Sequence, residues 1–201
     1  MAEFRGLLER EKYDRVFLLG DYIGDLLGYC SVEDGNEVLS IVRGLIGSSD
    51  SEPWQPPKNI VIKGNHEAMC CAEMGKGHEE YLSLMRSMPV DAYTQVDGFS
   101  VYMAHDPDQL EPNKFSRANI VLTGHLHSSG MKKEGGDRLE VRLGAFMDGG
   151  QNPELAAMLH SLGSDTTSGR VYAIMDTDEM LFRIYQGDNI IRETTLFPRL
   201  V

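Results

Sequence analysis

In four places along this chain an apolar run ends directly in a side chain able to bind a metal or move a proton. Val16 to Gly20 (VFLLG) leads into Asp21, and Ile60 to Gly64 (IVIKG) leads into Asn65, His66 and Glu67. Val101 to Ala104 (VYMA) leads into His105 and Asp106, and Ile120 to Gly124 (IVLTG) leads into His125, Leu126 and His127. Short runs of consecutive apolar residues read as strands buried on both faces. In open α/β sheets, ligands gather outside the carboxyl ends of such strands. Gly20, Gly64 and Gly124 each stand just before the polar group, where a missing Cβ lets the backbone turn sharply or approach a ligand closely. His125 and His127, at i and i+2, point the same way if the backbone there is extended.

One Asp, one Asn and three His suit manganese, iron or zinc better than the all-oxygen shell of calcium. A carboxylate can bridge two cations about 3.5–4 Å apart, and such a pair clamps phosphoryl oxygens and lowers the pKa of a water held between them. The expected cofactor is therefore two divalent transition-metal ions, with manganese preferred. His66 sits beside a ligand candidate with its side chain directed elsewhere. That makes it a candidate to donate a proton or hydrogen bond to a leaving oxygen, with Glu67 or Asp25 orienting it. Asp25 and Asp106 read as loop acids or partners of ligands. His78 and His160 read as surface residues, and Cys70 and Cys71 as small buried hydrophobes.

Several elements have to position these groups. Met1, Phe4, Leu7 and Leu8 share a helical face, Asn36 to Ile46 repeats that spacing, and Gly77 to Met88 forms a helix stopped by Pro89. Residues 47–57 are a loop by composition. Tyr93 to Met103 reads as a hairpin around Asp97-Gly98. Strands are expected at Asn119 to Leu122, Arg138 to Leu143, Val171 to Met175 and Met180 to Tyr185, joined by tight turns, and a helix at Asn152 to Leu162. The pattern predicts one α/β domain over 1–201, wound with helices in its first half and mostly antiparallel in its second.

Composition narrows the function classes. The 201 residues carry 31 acidic and 19 basic side chains, a formal charge of −12, so tight nonspecific nucleic-acid binding is disfavoured. A phosphorylated small molecule or a phosphoprotein remains a fitting partner. No apolar run approaches the roughly 20 residues of a membrane span, and a membrane role is not expected. Three cysteines, two of them adjacent, give no disulfide framework, so a reducing cytoplasm is the expected location.

The strand-end blocks resemble the calcineurin-like metallophosphoesterase superfamily. Gly20-Asp21 is similar to its GD block, Gly64-Asn-His-Glu67 to GNH[DE], His105 to its isolated strand-end histidine, and Gly124-His-Leu-His127 to GHxH. The resemblance implies a four-layer αββα sandwich whose metals are held by Asp21 as the bridge, Asn65, His105 and His125 at one site and His127 at the other, with His66 assisting the leaving group. The implied function is hydrolysis of a phosphomonoester or diester by a metal-activated water. GDYI with KGNHEAM resembles the bacterial Ser/Thr phosphatase-like branch, although the D-R-G whose arginine grips phosphate there is absent from Gly20-Asp-Tyr-Ile-Gly-Asp25-Leu-Leu. The family also opens with a strand ending in D-x-H-G-N, and no such block precedes the helix at Met1. The expectation is that the chain starts at an internal Met just after that strand, through a misassigned start, an omitted segment or real loss, leaving one metal site incomplete. The rival reading is a noncatalytic binding or scaffold module on the same fold.

Overall fold

The computed structural model describes residues 2–22, 32–47, 59–67, 79–126, 128–134, 138–144 and 171–197. Asp25, Cys70, Cys71, His78, His127, His160, the loop at 48–57 and the helix expected at 152–162 lie outside them. The chain divides into two compact units, Met1–Ala92 and Tyr93–Val201. Each is described by itself.

The first unit is helical around a short parallel pair. Helix α1 spans Ala2–Arg10, strand β1 Phe17–Leu18, helix α2 Val32–Gly47, strand β2 Ile60–Val61 and helix α3 Glu79–Ser87. On α2 the buried residues Val38, Leu39, Ile41, Val42 and Leu45 recur at helical spacing. They form one core with Val16, Val61 and the α3 residues Tyr81 and Met85, while Phe4 and Leu8 of α1 pack against its edge. Glu79 and Glu80 in the first turn of α3 and Arg86 in its last complement the helix dipole. Phe17 pairs with Ile60 and Leu18 with Val61, in parallel. β1 was expected to be buried on both faces, but Phe17 and Leu18 are only half-buried.

Asn59 ties the start of β2 to its neighbours. Its Oδ1 accepts from Val16 N–H at 2.9 Å and its Nδ2 donates to Leu45 C=O at 2.9 Å. Asn59→Ala is expected to cost about 1–3 kcal/mol, since buried backbone groups lose their partners. Urea unfolding would read the loss; an unchanged midpoint and slope would show that water replaces the amide.

The second unit begins within strand β3, Asp91–Val96, followed by β4 Phe99–Ala104, helix α4 Pro112–Arg117, β5 Ile120–Thr123, β6 Gly130–Glu134 and β7 Arg138–Arg142. Strands β8 Val171–Asp176, β9 Leu181–Gln186 and β10 Asn189–Thr195 complete it. Asp97 and Gly98 both have positive φ, 47° and 85°, the backbone of the expected two-residue hairpin turn. The sheet order is β3-β4-β5-β7-β6, and β4–β5 and β5–β7 are parallel pairs. The expectation of a mostly antiparallel second half holds, since β6–β7, β8–β9 and β9–β10 pair antiparallel, and the parallel run β4-β5-β7 is what it did not include. The crossover from β4 to β5 consists of a 3-10 turn at Pro107–Gln109 and the six-residue α4, both too short to show helical periodicity. Asn119 repeats at β5 what Asn59 does at β2, its Oδ1 accepting from Ser100 N–H at 2.9 Å. β8, β9 and β10 form a separate antiparallel sheet, tied to the first by Lys133 Nζ donating to Thr195 C=O at 2.9 Å.

Candidate metal-binding strand ends

In the first unit the parallel register aligns the two polar blocks. Leu18 opposite Val61 puts Asp21 level with Gly64, just beyond the paired residues. A Cβ on Gly20 would lie 2.4 Å from Gly64 N, and one on Gly64 would lie 2.1 Å from Asp21 Oδ1. Only two glycines allow the strand ends to meet so closely. Asp21 itself takes φ 55°, the left-handed region that non-glycine residues seldom enter and that recurs at functional sites.

Asp21 Oδ1 accepts from the His66 backbone N–H at 2.9 Å, and the His66 ring Nε2 stands 3.9 Å from Asp21 Oδ2. Asn65 and His66 open a helical turn at 65–67 and are half-buried. Glu67 is fully buried. Its Oε2 accepts from Gly64 N–H at 2.7 Å and Asp21 N–H at 2.8 Å, and its Oε1 from Tyr22 N–H at 2.7 Å. Burial raises the Glu67 carboxyl pKa, the Asp21 charge raises it further, and the three N–H groups pull it back. Glu67 or Asp25 was expected to orient the His66 side chain; these Glu67 bonds run to the backbone that carries Asp21, and Asp25 lies outside the described residues.

Tyr22 is a component that sequence reasoning missed. Its hydroxyl accepts from Gly20 N–H at 3.1 Å and donates to the carbonyl of Ile62. Burial first, then the Glu67 charge, raise its pKa well above the ordinary value, which keeps the phenol a donor. The available signal was a tyrosine directly after Gly-Asp at the end of a buried strand.

In the second unit Ala104 pairs with Thr123, which sets His105 opposite Gly124 and His125 one residue further. Gly124 N–H donates to His105 C=O at 2.9 Å. The rings meet edge to face with centroids 5.2 Å apart, and His125 Nδ1 lies 3.3 Å from His105 Nε2. His105 is buried and His125 half-buried. His125 has φ 61°, so the extended backbone assumed for an i, i+2 pair does not hold there. Leu126 N–H reaches Gly124 C=O at 2.7 Å, closing a tight turn centred on His125. Asp106 is accounted for structurally, since its Oδ1 caps the 3-10 turn by accepting from Asp108 N–H at 2.9 Å.

Two nitrogens at this spacing, and a carboxylate beside a backbone-anchored imidazole, are donor sets that fit borderline divalent cations. No protein-family model matches the sequence, and comparison with curated proteins gives no match. Solved structures do match. YfcE, a phosphoesterase from E. coli, aligns over 98% of this chain and 91% of its own at 13% identity, with a TM-score of 0.58. The chain has the calcineurin-like metallophosphoesterase fold. Two further neighbours share it. Vps29 from Entamoeba histolytica complexed with Zn2+ aligns over 97% of this chain and 89% of its own, at 14% identity and a TM-score of 0.50. A novel archaeal phosphodiesterase aligns over 92% and 90%, also at 14% and 0.50. The fold therefore hosts both phosphoesterases and Vps29, and function has to be argued from the strand-end residues.

Proposed function

We propose that this chain is a metal-dependent phosphoesterase that hydrolyses a phosphomonoester or diester, with residues 1–201 acting as one phosphoesterase domain. The supporting observation is the same local device in both units. A parallel strand pair ends in a glycine and a metal-type donor, and Asp21 and His125 are both held at positive φ. Strain of this kind costs on the order of 1–3 kcal/mol and persists where the surroundings impose it.

In this reading Asp21, Asn65, His105 and His125 would hold one divalent ion, and Asp21 and His127 would serve a second. Two such ions, manganese being preferred over iron or zinc, would supply a water of lowered pKa and bind the phosphoryl oxygens. The residues of the chain do the rest. Asp21 is kept from rotating by the His66 N–H on its Oδ1. The His66 imidazole, with its backbone fixed by that bond, donates the proton that the leaving oxygen needs. The substrate is a phosphorylated small molecule or a phosphoprotein. No helix among the described residues is long and apolar enough to cross a membrane, and the cysteine content supports a reducing, cytoplasmic setting.

Dialysis against a chelator is expected to abolish hydrolysis of an aryl phosphate, and added Mn2+ to restore it. Elemental analysis of the undialysed protein should find bound transition metal that is lost in His125→Ala. Activity that survives complete metal removal would overturn the proposal. Tight metal binding with no turnover on any ester tried would assign the chain to the noncatalytic binding role instead.

A further inference from the structure

Glu67 is a fully buried acid whose carboxylate is spent on backbone, taking the N–H groups of Gly64, Asp21 and Tyr22 at 2.7–2.8 Å. Two of those donors flank the φ 55° turn at Asp21, so the carboxylate holds that turn in the left-handed region. Tyr22, fastened by the same carboxylate, returns its hydroxyl to Gly20 N–H and Ile62 C=O, where the β1–β2 ladder has stopped. The two side chains interlock across the strand ends. A different pair of Asp21 dihedrals would swing its carboxylate away from the His66 N–H that now fixes Oδ1.

We infer that Glu67 and Tyr22 are positioning residues that fix the left-handed turn at Asp21 and so set the affinity of that carboxylate for a divalent cation. The inference rests on the proposed role of Asp21 as a metal ligand. Groups that orient a ligand typically change metal affinity about 10–100-fold when altered. Glu67→Gln keeps the size but turns an amide N–H2 toward backbone N–H groups, opposing donor to donor. Tyr22→Phe removes the hydroxyl alone.

The test titrates Mn2+ into the intact chain by calorimetry, at a temperature where circular dichroism shows every variant folded. Val42→Ala, in the buried core of the same unit, serves as a destabilised control that removes none of the hydrogen bonds at the strand ends. Glu67→Gln is expected to bind Mn2+ about 10–100-fold more weakly and Tyr22→Phe to weaken it in the same direction, while Val42→Ala binds as the wild type does. Equal binding by Glu67→Gln and wild type, or equal weakening in Val42→Ala, would overturn the inference. Hydrogen exchange at the His66 amide, measured without metal, separates this from the functional reading. If the wild type binds none of Mn2+, Fe2+ and Zn2+, the phosphoesterase proposal fails. The positioning claim then stands or falls on whether Glu67→Gln, and not Val42→Ala, strips protection from that amide.

Discussion

His66→Ala is expected to lower kcat by about 10²–10⁴-fold, the usual contribution of general acid catalysis, while leaving metal content unchanged. The His66 backbone N–H on Asp21 Oδ1 does not depend on the side chain, so the ligand arm stays in place when the imidazole is removed. What disappears is the proposed proton donor. A substrate with a good leaving group needs that proton least, so aryl phosphates should lose less than alkyl phosphates. Steady-state kinetics on a matched pair, with elemental analysis of the variant, reads both effects. Equal losses on the two esters would make the residue structural, and loss of metal would make it a ligand.

Much of this arrangement was legible in the sequence because it is local. Asp97-Gly98 between two alternating runs specified a turn, and both residues have positive φ. The spacing of Val38, Val42 and Leu45 specified a buried helix face, and the structure extends that helix back to Val32. The earlier start was hidden because Val32-Glu-Asp-Gly-Asn36 carries no apolar period and includes a poor helix former at Gly35. Strands β6 and β10 were missed for a related reason. Gly130–Glu134 is polar at the sheet edge, and β10 is exposed along nearly its whole length, so neither shows the alternation a half-buried strand would.

What could not be read was long-range. Glu67 and Asp21 are 46 positions apart, and their bond depends on two strand ends meeting in register, which no local pattern encodes. The same holds for Asn59 and Asn119. Each stands before an Ile-Val pair, yet only the paired strands show that its amide fastens the neighbouring backbone. The positive φ at His125 was hidden as well, because two histidines one residue apart look like a strand until the bond from Leu126 to Gly124 is seen. Residue types at strand ends suggested the chemistry, while the backbone of Asp21 was set by a partner far away in sequence and that of His125 by a local turn.

Gly64→Ala should be strongly damaging to the first unit and to its strand ends. Its Cβ would sit 2.1 Å from Asp21 Oδ1, 2.7 Å from Asp21 N and 2.8 Å from Asp21 Cγ, all inside van der Waals contact. The carboxylate cannot yield freely, since Oδ1 holds the His66 N–H, and the backbone nitrogen cannot, since Glu67 holds it at 2.8 Å. Overpacking of this kind costs about 1–3 kcal/mol, and here relief comes only by displacing the proposed ligand. The expected result is a lower urea midpoint together with loss of Mn2+ binding. Gly98→Ala is the informative comparison, because Gly98 has φ 85° but nothing within 4 Å of its would-be Cβ. That variant should pay only the left-handed penalty of about 1–2 kcal/mol and bind metal normally. Retention of wild-type Mn2+ affinity in Gly64→Ala would mean that the Asp21 carboxylate can move without consequence, and Asp21 would cease to be a credible bridge.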